Sequence, residues 1–337
     1  MPLRTHGPLP PLPNPPSPGR RRALAALSAL TLGGWLQGCT SHDPLRVAGH
    51  VWPGYELLFL ARMLGWLENR PVRLVETLTA TDSMHALQAG LVDGAALTLD
   101  EVLRVRAGGL AISVVAVLDI SAGADVVLAR PGIAALRDLS GLRIGVESSA
   151  AGALMLTAAL EAGGLSPRDV QVSSQPVARH ESVWESGQVD ALVSYAPTSV
   201  RLEKTGAVRL YDSRSVPGLI LDVLALTPRA LQDKAEDVRT LVEAHFRALD
   251  YFRRSPQDAV RRMAPRLGVP AHDVYSVYKG LSLPDRSENL EWLGGNSPSL
   301  IQSASALSTL MVGSGLLSAE DALDSLAVPD FVAPEPL

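Results

Sequence analysis

Cysteine is almost absent from this 337-residue chain, and the single one, Cys39, excludes any disulfide within the chain and any site built on several thiolates. Charge is also sparse, at 19% of residues, while 47% are apolar and only 4% aromatic. Such a balance excludes general disorder and leaves ample material for a buried core. The length points to two lobes rather than one. With a formal net charge of −5 and no Lys/Arg block in the body of the chain, a nucleic-acid complex driven by phosphate neutralisation is excluded. Also missing are a Gly-x-Ser-x-Gly elbow, a phosphate loop and a dinucleotide fingerprint, and His50, His85, His180, His245 and His272 are scattered without ligand spacing. Neither catalysis nor a cofactor or metal is therefore expected.

What is present begins with the amino terminus. Arg20-Arg21-Arg22 leads into an apolar run from Ala23 to Leu36, too short for the roughly 20 residues that span a bilayer, and Leu36-Gln37-Gly38-Cys39 closes it. Basic, apolar and small-residue segments in that order describe an export signal over residues 1–38. Cys39 stands where a bacterial lipoprotein carries its lipid, in a sequence that resembles a lipobox, and residues 39–44 form a short tether. The arginine triplet leaves the twin-arginine route open. Removing the signal with its four arginines takes the net charge from −5 to −9. The protein is expected to be exported and held at the membrane by its lipid alone.

Beyond the tether, strand-like and helix-like segments alternate, as in a parallel α/β sheet. Strands are expected at 45–49, 72–76, 94–97, 112–118, 124–129, 143–146, 170–173, 191–194, 208–211 and 219–226. Helices are expected at 56–67, 82–89, 99–107, 133–139, 150–162 and 181–186, with Asp82-Ser83 capping the second. From Pro228 onward the pattern is helical, at 235–254, 256–267, 271–280 and 297–314.

Several of these residues resemble a known family. Trp52-Pro53-Gly54-Tyr55-Glu56 with Gly65-Trp66-Leu67, then Ala86 to Ala95, and Leu136 to Val146, are similar to segments of the nitrate/sulfonate/taurine and thiamine-precursor (NMT1/THI5-like) binding proteins of ABC importers. The resemblance covers roughly residues 45–226. It implies a type II periplasmic-binding-protein fold: two doubly wound α/β lobes joined by two crossing segments, lobe 1 being 45–129 with 226–337 and lobe 2 being 130–225. It also implies a monomeric receptor that closes on a small-molecule solute and hands it to an ABC permease with its ATPase.

In doubly wound sheets ligands bind beyond the carboxyl ends of strands. That rule selects Trp52, Tyr55, Glu56, Ser83, Thr98, Asp119, Ser121, Glu147, Ser148, Ser149, Tyr195 and Asp222 as ligand-binding candidates. Each has a second reading. Trp52 and Tyr55 are either a stacking wall or packing aromatics, and Ser83, Ser148 and Ser149 are also suited to helix caps. Asp119 reads equally as a hinge carboxylate, and Asp222 is a lone charge in an apolar strand that must be paired or wet. Replacing Trp52 or Asp119 by Ala is expected to weaken binding and leave folding nearly intact.

Acids stand at these strand ends and bases do not; Arg130, Arg179 and His180 lie off the inferred rim. The pattern favours a neutral or cationic nitrogen-rich solute, amino-pyrimidine-like or amidine-like, over the nitrate, sulfonate or taurine-type anion that the resemblance implies. A ligand-presenting sensor remains open as an alternative to import. A thiamine-pyrimidine-synthase-like enzyme is disfavoured, since the cysteine cluster associated with that activity is missing.

Overall fold

A computed structural model describes residues 43–333, so the expected signal and Cys39 lie outside the described residues. Eleven strands run as β1 Leu45–Gly49, β2 Val72–Glu76, β3 Gly94–Thr98, β4 Ser113–Ser121, β5 Val126–Ala129, β6 Arg143–Val146, β7 Gln171–Ser174, β8 Ala191–Ser194, β9 Val208–Asp212, β10 Leu221–Leu226 and β11 Leu281–Ser282. The helices are α1 Glu56–Met63, α2 Ala80–Gln88, α3 Leu99–Ala107, α4 Ala150–Ala162, α5 His180–Glu185, α6 Thr198–Lys204, α7 Pro228–Asp233, α8 Ala235–Arg254, α9 Pro256–Leu267, α10 Val274–Tyr278, α11 Arg286–Leu293 and α12 Ser299–Gly313.

The strands form two sheets, β11-β4-β10-β3-β1-β2 and β7-β6-β8-β5-β9. Each has a parallel triplet, β2-β1-β3 or β7-β6-β8, extended by antiparallel strands, so neither sheet is wholly parallel as the alternating pattern predicts. β4 and β10 are apolar and buried along nearly their whole length, as strands covered on both faces must be. The sequence-based lobe boundaries need correction on this point. β5 pairs with β8 and β9 and belongs to the second sheet, while β10 pairs with β3 and β4 and lies wholly in the first. The sequence separates the two strands but carries no mark of the sheet each joins, because β5 is placed by pairing with β8 and β9, far along the chain.

The chain crosses between sheets at 122–125 and again at 213–220, and the two crossings are tied together. Ser121 and Ser213 share a hydroxyl hydrogen bond of 2.7 Å, Gly123 N–H donates to Ser213 Oγ at 2.7 Å, and Arg209 Nη1 donates to the Gly123 carbonyl. Gly280, at φ +91°, presses on the first crossing so closely that a Cβ there would lie 2.5 Å from the Gly123 carbonyl carbon.

Most remaining helices cover the first sheet: α8 packs on α1, α11 on β4, and α12 on α11 and α3. Asn289 in α11 splices itself into the sheet, accepting from Val117 N–H and donating to the Val117 carbonyl. Among the described residues no helix is long and apolar enough to cross a membrane.

Some elements differ from expectation. Residues 133–139 give only a 3-10 turn at Leu136–Leu139, and the helix expected at 271–280 shrinks to α10 behind another such turn. Both α6 and α11 were not foreseen, because their apolar positions are few and they fold against partners distant in sequence. The second helix is capped by Thr79, whose side chain accepts from Asp82 N–H while Asp82 reaches back to Thr79 N–H; Asp82 is therefore the third residue of the helix, not its cap.

Candidate functional site

Between the carboxyl ends of the two parallel triplets lies a cavity of about 490 Å³, within the usual range for small-molecule pockets. The first sheet contributes Trp52 and Tyr55 after β1, Leu78 to Ala80 after β2, Thr98 and Glu101 around the β3–α3 junction, and Asp222 from β10. The second contributes Glu147, Ser149 and Ala151 after β6, Pro176 to Ala178 after β7, and Tyr195 and Thr198 after β8, with Asp125 on the crossing.

Of the sequence candidates, Trp52, Tyr55, Thr98, Glu147, Ser149, Tyr195 and Asp222 therefore line one cavity. Glu56, Ser83, Asp119, Ser121 and Ser148 do not, and each has a physical reason. Glu56 is fully buried and paired with Arg266, which lies over the Phe59 ring. Ser83 is turned inward to Thr77 Oγ1 at 2.7 Å, Ser121 is spent on the crossing, and Ser148 bonds Ser174 on the exposed side. Asp119 sits behind the wall, where its Oδ2 accepts from Trp52 Nε1 at 2.8 Å. Sequence reasoning missed Glu101, Asp125, Thr198 and Arg201, which reach the cavity from a helix turn or a crossing.

The aromatic wall is positioned from behind. Pro53 starts a 3-10 turn, and Tyr278 Oη donates to its carbonyl at 2.6 Å. Gly54 lies directly against Asp119, since a Cβ at Gly54 would come within 1.5 Å of Asp119 Oδ2. Tyr55 Oη donates to Asp222 Oδ1. Trp52 meets Tyr195 of the second half edge-on, ring centroids 5.3 Å apart, so the two halves touch across the cavity. A second bridge runs from Ala150 N–H, at the start of α4, to Asp100 Oδ2 in α3 at 2.9 Å.

Carboxyls dominate the cavity's electrostatics. Burial, reinforced by the charge of Asp100, pushes Glu101 up to about 8, and burial alone is the chief cause lifting Asp125 to about 6. Glu147 is raised by burial too, although Tyr195 Oη donates to it at 3.1 Å. His50, with its Nδ1 unpartnered, is held near 4 by burial and by Arg266, which keeps it neutral. Among the described residues the one cation lining the cavity is Arg201, and it donates to Glu181 Oε1 from both Nε and Nη2.

Anion donors come instead from backbone. At the start of α4, Ala150 N–H is bonded to Asp100 and Gly152 N–H to Ser149 Oγ, while Ala151 N–H has no acceptor among the described residues. At the start of α2 the N–H groups of Ala80 and Thr81 are likewise unpaired there. Ala80 and Ala151 both line the cavity, one from each half. Helix N-termini with free N–H groups attract oxyanions without a basic side chain.

Two sheets with crossing segments and a cleft between strand ends define the architecture of periplasmic binding proteins, and solved structures agree. The aliphatic sulphonate binding protein SsuA of Escherichia coli superposes with a TM-score of 0.71 at 19% identity, covering 85% of this chain and 98% of that one. The alkanesulfonate-binding SsuA of Xanthomonas axonopodis pv. citri bound to MOPS gives 0.67 at 18%, covering 82% and 94%. The desulfurization enzyme DszB, at 0.62 and 20% over 85% and 97%, has the same fold, so the fold by itself does not separate receptor from enzyme.

The chain belongs to the NMT1/THI5 like family, whose model matches residues 52–259. The taurine-binding periplasmic protein of Escherichia coli (strain K12) is 27% identical over 180 residues, half of this chain and 56% of that protein. The match thus spans little more than half the length of that curated relative. These relatives do not support the nitrogen-rich cationic solute favoured by the sequence. That sequence reading counts side chains and leaves out the backbone N–H groups at the starts of α2 and α4.

Proposed function

We propose that the protein is the exported solute-binding component of an ABC importer, and that its ligand is a small organic sulfonate, best a taurine-like aminosulfonate. The carrying observation is that one cavity presents unpaired helix N–H groups beside buried carboxyls. A sulfonate needs the first, an ammonium the second, and a zwitterion uses both. The sulfonate- and taurine-binding relatives support the anionic half of this reading. The acids around Asp222 support the amine half.

Capture works by a population shift: a solute touching both rims adds contacts only in the closed form. The Trp52–Tyr195 and Asp100–Ala150 contacts are those that closure makes and opening breaks. The closed form then docks on a permease served by an ATPase, and Cys39 carries the lipid that keeps the receptor near it.

A thermal-shift panel of taurine, ethanesulfonate, an amidine and an aminopyrimidine tests the ligand class. Taurine at about a hundredfold over its Kd should add about 2.7 kcal/mol, hence a rise of several degrees. Ethanesulfonate should give a smaller rise. Stabilisation by the amidine or aminopyrimidine with none from either sulfonate would reject the reading.

A further inference from the structure

Asp119 and Asp222 lie opposite one another in the register of β4 and β10, 0% and 2% exposed. Each has one oxygen committed to a fixed donor, Trp52 Nε1 for Asp119 and Tyr55 Oη for Asp222. The remaining oxygen of Asp119, Oδ1, is buried with no hydrogen-bond partner. Two carboxyls buried at directly opposed strand positions cannot both carry charge without a large electrostatic cost, so the pair keeps a proton. Only Asp222 of the pair borders the cavity. Among the described residues no Lys or Arg is recorded against the pair: the titratable groups around it are Tyr55, Tyr278, Glu101 and Asp125, with His50 edge-on to Tyr55 and Arg266, on the far side of Tyr278, committed to Glu56. Asp125 borders the same cavity with an unpartnered Oδ2, so the site has acceptor capacity that the protein itself leaves unused.

We propose that Asp119 and Asp222 share one proton in the empty receptor, and that an ammonium group of the solute settling on Asp222 expels it. This rests on the aminosulfonate reading above. The amine arrives already protonated, its positive charge replaces the shared proton, and that proton passes to the buffer; no bond to the solute forms. Asp119 is a positioning residue in this scheme: it never touches the solute, but fixes the Trp52 ring and carries the proton until binding. The pair would make the receptor prefer amine-bearing sulfonates over plain ones, and more so as pH rises through neutrality.

Calorimetric titration of the full protein in phosphate and in Tris, at one pH near neutrality, reads the proton directly, because the two buffers differ in ionisation heat. Taurine should release about one proton per site and ethanesulfonate essentially none. In Asp119→Asn the amide can accept from Trp52 and donate permanently to Asp222, so release should fall to near zero whatever the affinity becomes. Taurine heats that match in both buffers would overturn the coupling while leaving the ligand assignment standing. Equal release with ethanesulfonate would place the proton elsewhere and also overturn it. Ethanesulfonate binding without taurine would remove the amine half of the assignment, and the coupling with it.

Discussion

Trp52 shows how the strand-end rule finds a residue without finding its role. It lines the cavity as expected, yet it is only 5% exposed and its indole N–H is bonded to Asp119. Trp52→Ala and Asp119→Ala therefore cannot spare the fold as the sequence leads one to expect. Removing the indole should cost about 3–5 kcal/mol through the void left. Trp52→Phe is the cleaner variant: it strands Asp119 Oδ2 without a donor and should cost about 1–3 kcal/mol in urea unfolding. Gly54→Ala should cost a similar amount, because its methyl group occupies the space of the Asp119 carboxyl. A Gly54→Ala protein with wild-type stability would mean that Asp119 is not held where it is described. Glu56, by contrast, was unreadable as a structural residue, since its partner Arg266 lies 210 positions away.

At the level of elements, the sequence carried the strands well where burial on both faces left an unbroken apolar run, as in β4, and helices well where the stripe was long, as in α8 and α9. It failed at junctions. The sheet that β5 joins and short helices such as α6 are fixed by pairing and packing that periodicity does not encode. The same division explains the site: residues just beyond strand ends were legible, whereas Glu101, in the first turn of α3, and Arg201, inside α6, were not. The contact of Asp100 with the start of α4 belongs to this scale as well. Asp100→Ala should remove one bridge between the halves and favour the open form, visible as a larger radius of gyration for the empty protein in solution scattering. An unchanged radius would assign that contact no part in closure.

For the whole molecule, the buried acids set a pH dependence. Asp119, raised to about 7, and Glu101, raised to about 8, have folded values above their unfolded ones, so their contribution is fully present at low pH and is lost as pH rises through those values. His50 and His245, lowered to about 4, act oppositely, but only below the ordinary histidine value of 6.5. Between about pH 6.5 and 8 these acids act alone, and the melting temperature of the ligand-free protein should fall. A flat or rising profile would show that these carboxyls are solvated. Export makes a separate claim: Cys39→Ala should move the protein from the membrane to the soluble extracytoplasmic fraction, and an unchanged distribution would remove the lipid anchor from the account.

The account depends most on the two halves closing over one solute. Solution scattering with and without saturating taurine measures this directly. A smaller radius of gyration with taurine, and a weaker response in Asp222→Asn, is the predicted result. Taurine that binds while leaving the radius unchanged would place it outside the cleft and contradict the account.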